Sequence, residues 1–210
     1  MKIEIKNYTK TIRKNIILDN INLNLESGNI YGFIGRNGSG KSMLFKSICG
    51  LTSINQGEIL IDSHKLGCDI EFPKSVGAVL DNGGFLPNLS GLDNLILLAS
   101  INNKATIEDI KKSMSILGLD PNDNKSVKKY SLGMKQKLSI AQALMENPSL
   151  LILDEPFNGL DKHSVDKLRD IIFNLKEEGK LILLSSHIEE DIKLLCDVVY
   201  ELDNGQIKIM

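Results

Sequence analysis

One stretch constrains this chain more than any other: Gly35-Arg36-Asn37-Gly38-Ser39-Gly40-Lys41-Ser42. It follows the apolar run of residues 30–34, which reads as a short buried strand. It precedes residues 43–50, which read as a helix closed by Gly50. Strand, glycine loop and helix together are the context of a phosphate-binding P-loop. Gly35, Gly38 and Gly40 reach backbone angles closed to other residues, so successive N–H groups can turn inward around an anion. The helix N-terminus adds its positive dipole end, Lys41 a point charge, and Ser42 a hydroxyl for Mg²⁺. The bland alternative is a glycine-rich turn that binds nothing. The fixed spacing inside a strand–helix unit counts against it.

The bulk properties fit such a core. A chain of 210 residues can bury a sizeable interior as one domain or two small lobes. With 42% apolar and 25% charged residues it reads as a soluble globular protein. Its net charge of −2 supplies no basic field, so no nucleic-acid partner is expected. No apolar run approaches the length that crosses a bilayer. Residues 1–6 alternate as a strand and lack the apolar core of a signal peptide. Cys49, Cys68 and Cys196 are odd in number and widely spaced, which fits neither a disulfide framework nor a zinc site. All three are expected to be buried, reduced thiols.

Along the chain, residues 2–6 and 16–25 read as edge strands of an antiparallel layer. Ile21, Leu23 and Leu25 share one face, Asn22 and Asn24 the other. Strands are expected over residues 58–62 and 76–80, the second running into a loop from Asp81 to Gly84. The pattern then turns helical. Ser90-Gly91-Leu92-Asp93 and Thr106-Ile107-Glu108-Asp109 resemble capping boxes with Asp in place of Glu, and Gly118 ends the second helix. Ser131 opens a third helix with Leu138, Ala141 and Leu144 at helical spacing. This block reads as a helical lobe inserted into an α/β core. The core resumes with the fully apolar strand of residues 150–153, of the kind buried on both faces. A helix over 162–175, a strand over 181–184, a short helix over 188–195 and a hairpin at Asn204-Gly205 complete the reading.

The apolar strand ends in Asp154-Glu155. A carboxylate at the carboxyl end of a buried parallel strand sits beside a P-loop, where it can hold Mg²⁺ through water. A second carboxylate next to it suits orienting or deprotonating a water that attacks a γ-phosphate. Acidic strand ends without a role are common in α/β proteins, so this pair gains weight only from the P-loop.

Taken together, these residues resemble the ATP-binding subunit of an ATP-binding-cassette (ABC) transporter over nearly the whole chain. Tyr130-Ser131-Leu132-Gly133-Met134-Lys135-Gln136 resembles the family's signature sequence, Asn158-Gly159-Leu160-Asp161 its D-loop, and Ser186-His187 its switch histidine. The wording around Ser131, with Asn88-Leu89-Ser90, is most similar to exporters of peptide antibiotics and lantibiotics. Read alone, Ser131 is a helix cap and His187 a loop histidine. The resemblance implies instead that Ser131 and Gly133, at a helix N-terminus, meet the γ-phosphate on a partner subunit's P-loop. By the same resemblance His187 reaches the γ-phosphate and Asp161 joins the nucleotide site. Three positions depart from the family pattern. Leu132 replaces a signature glycine, as in the exporter subgroup. Asp81 stands where most members have a loop glutamine, which leaves direct, water-mediated and absent Mg²⁺ coordination all open. Ile12 aligns with an aromatic that stacks on adenine, which weakens the expected preference for ATP over GTP.

The expected fold is therefore an α/β P-loop NTPase core with a parallel sheet, an N-terminal antiparallel β layer and an inserted helical lobe, the ABC ATPase fold. Residues 1–210 form one ATP-binding domain, with the lobe over roughly 86–145. The resemblance implies an ATPase that uses ATP and Mg²⁺, pairs with a second nucleotide-binding subunit, and drives export through a separate membrane permease from the inner membrane face. Gly35, Arg36, Asn37, Gly38, Ser39, Gly40 and Lys41 hold the phosphates; Ser42 and Asp154, with Asp81 as helper, hold Mg²⁺; Glu155 is the base. A soluble ABC-type ATPase acting on ribosomes or chromosomes is the rival. Such proteins carry two cassettes or long coiled coils, and this chain shows neither. Intact Lys41, Glu155 and His187 oppose a second rival, a regulator that binds nucleotide without hydrolysing it.

Overall fold

A computed structural model describes residues 1–80 and 84–210, with Glu189 described by its backbone. Among the described residues the strands form two sheets. β1 (Lys2–Ile12), β2 (Asn15–Glu26), β4 (Gln56–Ile61) and β5 (His64–Lys65) make a four-stranded sheet in the order β2-β1-β4-β5. β3 (Ile30–Ile34), β6 (Val76–Val79), β7 (Leu150–Asp154), β8 (Leu181–Ser185), β9 (Val198–Asp203) and β10 (Gln206–Ile209) make a six-stranded sheet in the order β10-β9-β3-β8-β7-β6. The first sheet is antiparallel throughout. In the second, β10 alone runs against its neighbour.

The helices are α1 (Lys41–Ile48), α2 (Gly91–Asn102), α3 (Ile107–Ile116), α4 (Leu132–Leu144), α5 (Lys162–Glu177) and α6 (Glu189–Leu195). Alternation along the parallel strands separates two cores. Leu150, Ile152, Leu181 and Leu183 face one core. Leu151, Leu153, Ile182 and Leu184 face the other, and none of the eight is more than 1% exposed. Each such buried side chain stabilises the fold by about 1.5–3 kcal/mol, which explains the unbroken apolar runs. The first core joins the antiparallel sheet to α1: Ile3, Ile5 and Leu25 pack with Leu44, Phe45 and Ile48. Phe33 meets Phe45 edge-on at 5.2 Å, and Tyr8 donates to Ser47 Oγ at 2.8 Å. The second core joins α2 through α6 to the opposite face, with Leu95, Ile110, Leu138, Ile172 and Ile192 inside it.

The antiparallel layer contains β1 and β2 as expected, and Asn22 and Asn24 face outward as the alternation requires. β1, however, is an inner strand, because β4 pairs with its far side through Ile3↔Ile61 and Ile5↔Ile59. That pairing spans a long sequence separation and leaves no local mark on β1. Thr106 forms a full capping box with Asp109. At Ser90 the Asp93 carboxylate instead accepts from the serine hydroxyl, while that hydroxyl accepts from the Asp93 N–H. α4 lies directly against β6. A Cβ on Gly77 would fall 1.9 Å from the Ala143 carbonyl oxygen, so only glycine allows this approach. Cys49 is buried, but Cys68 is exposed, which corrects the expectation of three buried thiols. Cys68 lies in a turn after β5, where no strand or helix face turns it inward. Among the described residues no helix is long and apolar enough to cross a membrane.

Candidate nucleotide site

Parallel strands place their carboxyl ends along one edge, and ligands of open α/β sheets bind there. β8 lies between β3 and β7. The loop leaving β3, Asp154 at the end of β7 and Ser185 at the end of β8 therefore converge. Beside them lies a cavity of about 550 Å³ lined by Asn37, Gly38, Gly40, Lys41, Ser42, Asp154, Glu155 and His187, with Ile17, Met43, Val79, Leu80, Gln136 and Asn158, while Ser185 sits buried behind it.

The P-loop is arranged as an anion cradle. Its helix, α1, begins after Gly40 with no side chain capping its first turn, so the opening N–H groups are left to a ligand. Lys41 is 7% exposed, and its ammonium donates to the carbonyls of Gly35 at 2.7 Å and Arg36 at 3.3 Å. Ser39 Oγ is buried without a hydrogen-bond partner. A buried hydroxyl left unpaired is costly, and an oxyanion in the loop would satisfy it.

Ser42 Oγ donates to Asp154 Oδ2, and Ser185 Oγ donates to Asp154 Oδ1 at 2.5 Å. Hydroxyl and carboxylate oxygens are the hard donors that suit Mg²⁺. Among the described residues no group of three or more His, Cys, Asp or Glu side chains could hold a metal by itself. The donor set fits a cation that completes its coordination with water and phosphate oxygens, as Mg²⁺ does in nucleotide sites.

Glu155 follows directly. Its backbone is left-handed, with φ at 51°, and its N–H donates to Ser185 Oγ at 2.9 Å and Ser185 O at 3.2 Å. Its Oε2 accepts from the His187 N–H at 3.2 Å, and its Oε1 lies 3.0 Å from His187 Nε2. That second approach has ion-pair distance without hydrogen-bond alignment, so Oε1 remains without a hydrogen-bond donor. Burial pushes the Glu155 carboxyl above its ordinary pKa, against the opposing pull of His187 and Lys41. A carboxyl raised in this way is a better base near neutrality.

His187 is held by a network the sequence did not reveal. The fully buried Asp191 accepts from Arg169 Nε at 2.9 Å and Nη2 at 2.6 Å. Its other oxygen accepts from Ser186 Oγ at 3.2 Å, and that hydroxyl accepts from the Ile188 N–H at 3.1 Å. The residues on either side of His187 are thereby tied to α5 and α6.

A second group of expected residues lies elsewhere. Ser131 is exposed and caps α4, its Oγ accepting from the Met134 N–H at 3.2 Å. A Cβ on Gly133 would fall 2.7 Å from the Gly159 carbonyl oxygen, and one on Gly159 would fall 2.9 Å from the Leu132 side chain. The turn that opens α4 and the Asn158–Asp161 loop are thus pressed together. Gln136 Nε2 adds a hydrogen bond to the Pro156 carbonyl at 3.0 Å. Asp161 caps α5 by accepting from the Ser164 N–H at 3.0 Å and the Ser164 hydroxyl at 2.7 Å, and these bonds lower its pKa. None of Ser131, Gly133 and Asp161 lines the cavity that holds Lys41.

Lys41, Ser42, Asp154, Glu155 and His187 are therefore brought together. Gly35, Arg36 and Ser39 shape the loop without lining the cavity. Ile12 sits 40% exposed at the end of β1 and is absent from the lining, where Ile17 from β2 appears. Asp81 lies outside the described residues. Gln136, expected only as the end of the signature stretch, lines the cavity, whereas Ser185, Arg169 and Asp191 were given no role by the sequence. The one signal available was a serine ending an otherwise apolar strand.

Fold and site define a P-loop nucleotide-binding ATPase with helices inserted between β6 and β7. The chain belongs to the ABC transporter family, whose pattern matches residues 18–158. It is 44% identical to an uncharacterised ABC transporter ATP-binding protein of Bacillus subtilis, YybJ, over 98% of this chain and 94% of that protein. It is 36% identical to the lantibiotic transport ATP-binding protein SrtF of Streptococcus pyogenes, over 98% and 88%. The bacitracin transport ATP-binding protein BcrA of Enterococcus faecalis is also 36% identical, over 98% and 67%. The dimeric structure of the bacterial ABC transporter cassette MJ0796 superimposes with a TM-score of 0.89 at 25% identity, covering 98% of this chain and 96% of that one. This chain is the ATP-binding, ATP-hydrolysing subunit of an ABC transporter.

Proposed function

We propose that the chain forms one ATP-binding domain, with its helical lobe over roughly 86–145, and that each ATP lies between two such subunits. The observation that carries this reading is the separation of the two anion-binding features. Lys41 and the P-loop border the cavity, whereas the α4 N-terminus with Ser131 lies outside it. In the dimer, Lys41 and the loop amides bind the β- and γ-phosphates of one ATP. Ser131 and the Gly133 N–H of the partner copy approach the same γ-phosphate from the other side.

Within each site Ser42 and Asp154 hold Mg²⁺, which supplies charge neutralisation to the phosphates when bound. Asp81 is the further candidate donor. Glu155, with its raised pKa, accepts the proton of the water that attacks the γ-phosphate. His187, close to Glu155, orients that carboxylate and contacts the γ-phosphate. Asp161 keeps the loop after Glu155 in register by capping α5. Ile12 and Ile17 offer aliphatic surface to the base.

We further propose that the subunit works at the inner membrane face with an integral membrane permease that exports a peptide or antibiotic-like substrate. The names of the relatives in Streptococcus pyogenes and Enterococcus faecalis support that substrate class. Two measurements test the whole. Glu155→Gln with ATP elutes at twice its monomer mass on size exclusion, and persistence of the monomer at saturating ATP counts against the sandwich. A tagged chain recovered from detergent-solubilised membranes brings down a multi-spanning protein. Recovery of ribosomes instead overturns the transport reading.

A further inference from the structure

A buried strand end has no intrinsic need for a hydroxyl. β8 reads Leu181-Ile182-Leu183-Leu184-Ser185, and Ser185 is 0% exposed. Its main chain is satisfied by ladder pairing, in register with Phe33 of β3 and Asp154 of β7. An apolar side chain would meet every requirement of the strand. The hydroxyl is instead engaged twice, toward the two carboxylate residues of the site. It donates to Asp154 Oδ1 at 2.5 Å and accepts from the Glu155 N–H at 2.9 Å.

The directions of these bonds are forced. An ionised carboxylate only accepts, so the single hydroxyl proton points at Asp154, and the lone pairs remain for the Glu155 N–H. Asp154 Oδ2 accepts from Ser42, so both oxygens are engaged and the plane of the carboxylate is set from two sides. Glu155 is a non-glycine residue at φ 51°. Such a conformation persists where its surroundings over-determine it, and the Ser185 hydroxyl is one of the groups doing so.

We propose that Ser185 is a positioning residue. Its hydroxyl holds Asp154 with one oxygen aimed at the Ser42 side and fixes the backbone from which Glu155 projects. It rests on the nucleotide site described above and adds a role to a residue outside the P-loop, the acidic pair and the histidine. Ser185 is fully buried and does not line the cavity. It acts on the metal-facing oxygen through Asp154 and on the base through the Glu155 main chain, so its loss lowers kcat and metal affinity together. Groups that orient a metal-facing carboxylate typically change affinity or activity by about 10–100-fold when removed.

The test uses full-length wild type, Ser185→Ala, Ser185→Cys, Ser185→Thr and Asp154→Asn, each checked for folding by circular dichroism and melting. Mn²⁺ affinity of the ATP-bound protein is read by electron paramagnetic resonance, beside steady-state ATPase kinetics. The expected result for Ala and Cys is about 10-fold weaker Mn²⁺ binding and a comparable loss of kcat, with the KM for ATP within about twofold. Thr, which keeps the hydroxyl, recovers most of both. Ala and Cys that fold and match wild type in Mn²⁺ affinity overturn the proposal. So does a kcat loss shared by Ala, Cys and Thr with Mn²⁺ binding unchanged, because that is a packing effect. Asp154→Asn separates the two levels. If it too leaves Mn²⁺ binding unchanged, the metal assignment itself has failed and the Ser185 role falls with it.

Discussion

The carboxyl edge of the six-stranded sheet and the turn that opens α4 differ in how much of a site one chain furnishes. At the sheet edge Lys41, Ser42, Asp154, Glu155 and His187 line a single cavity, and Ser42, Asp154, Ser185 and Glu155 are joined by hydrogen bonds. At the α4 turn there is a capped helix N-terminus, an exposed Ser131, and close packing against the Asn158–Asp161 loop, with no catalytic carboxylate of its own. The first region can bind and hydrolyse. In the reading proposed above, the second completes the site of a partner copy. Two regions of one chain that do not share a cavity fit the use in pairs proposed above, and the cassette this chain resembles is dimeric.

The sharpest way to break that contrast is at the sheet edge. Glu155→Gln removes the base while keeping shape, so turnover falls on the order of 10²–10⁴-fold with ATP binding retained. The same variant has a second signature. Because burial raises the Glu155 pKa, the folded state holds that proton more tightly than the unfolded state. Its contribution to stability is present at low pH and lost as pH rises through the raised value. Glu155→Gln should therefore melt above wild type at pH 8, and the gap should close toward pH 4. Wild-type activity should fall on acidification before ordinary carboxylates titrate. An identical melting difference at both pH values contradicts this.

The support of His187 sets the next scale. Arg169→Leu leaves Asp191 buried without its cation, which costs about 3–5 kcal/mol in stability. Chemical denaturation measures it directly. A loss below about 1 kcal/mol, the scale of an exposed pair, would mean that the pair is solvated and does not anchor the histidine segment.

How much of this was legible beforehand follows from the range of the interactions. The P-loop, the apolar run into Asp154-Glu155, the caps at Ser90, Thr106 and Ser131, and the turn at Asn204-Gly205 are local in sequence. The structure has each where expected. What local pattern lacks is partners. β1 reads as an edge strand because nothing in residues 2–12 shows that β4 will pair with it. Ser185, Arg169 and Asp191 look ordinary until β8 is set beside β7 and α5 beside α6. Ile17 was passed over for the same reason: its place in the cavity depends on how β2 passes the P-loop.

The smallest effect concerns the base. An aromatic ring stacks on a purine better than an aliphatic side chain by about 0.5–1.5 kcal/mol. Ile12→Tyr should tighten ATP and GTP by that amount, and wild type should prefer ATP only modestly. Unchanged affinities by calorimetry would place the base over Ile17 alone.

The central claim, that each site is shared between chains, is tested most directly by mixing two inactive variants. Lys41→Ala removes the phosphate-binding charge, and Ser131→Arg places a bulky side chain where the partner's γ-phosphate docks. Each homodimer should be inactive. In a mixed dimer one site carries both lesions, while the other pairs an intact Lys41 with an intact Ser131. Random exchange makes about half the dimers mixed, each with one sound site, so about a quarter of wild-type ATPase activity should return if the sites fire independently. Sites that must fire together would give a smaller recovery, still above the parents. Activity no greater than the mean of the two parents, in a mixture shown to exchange subunits, would contradict the shared site.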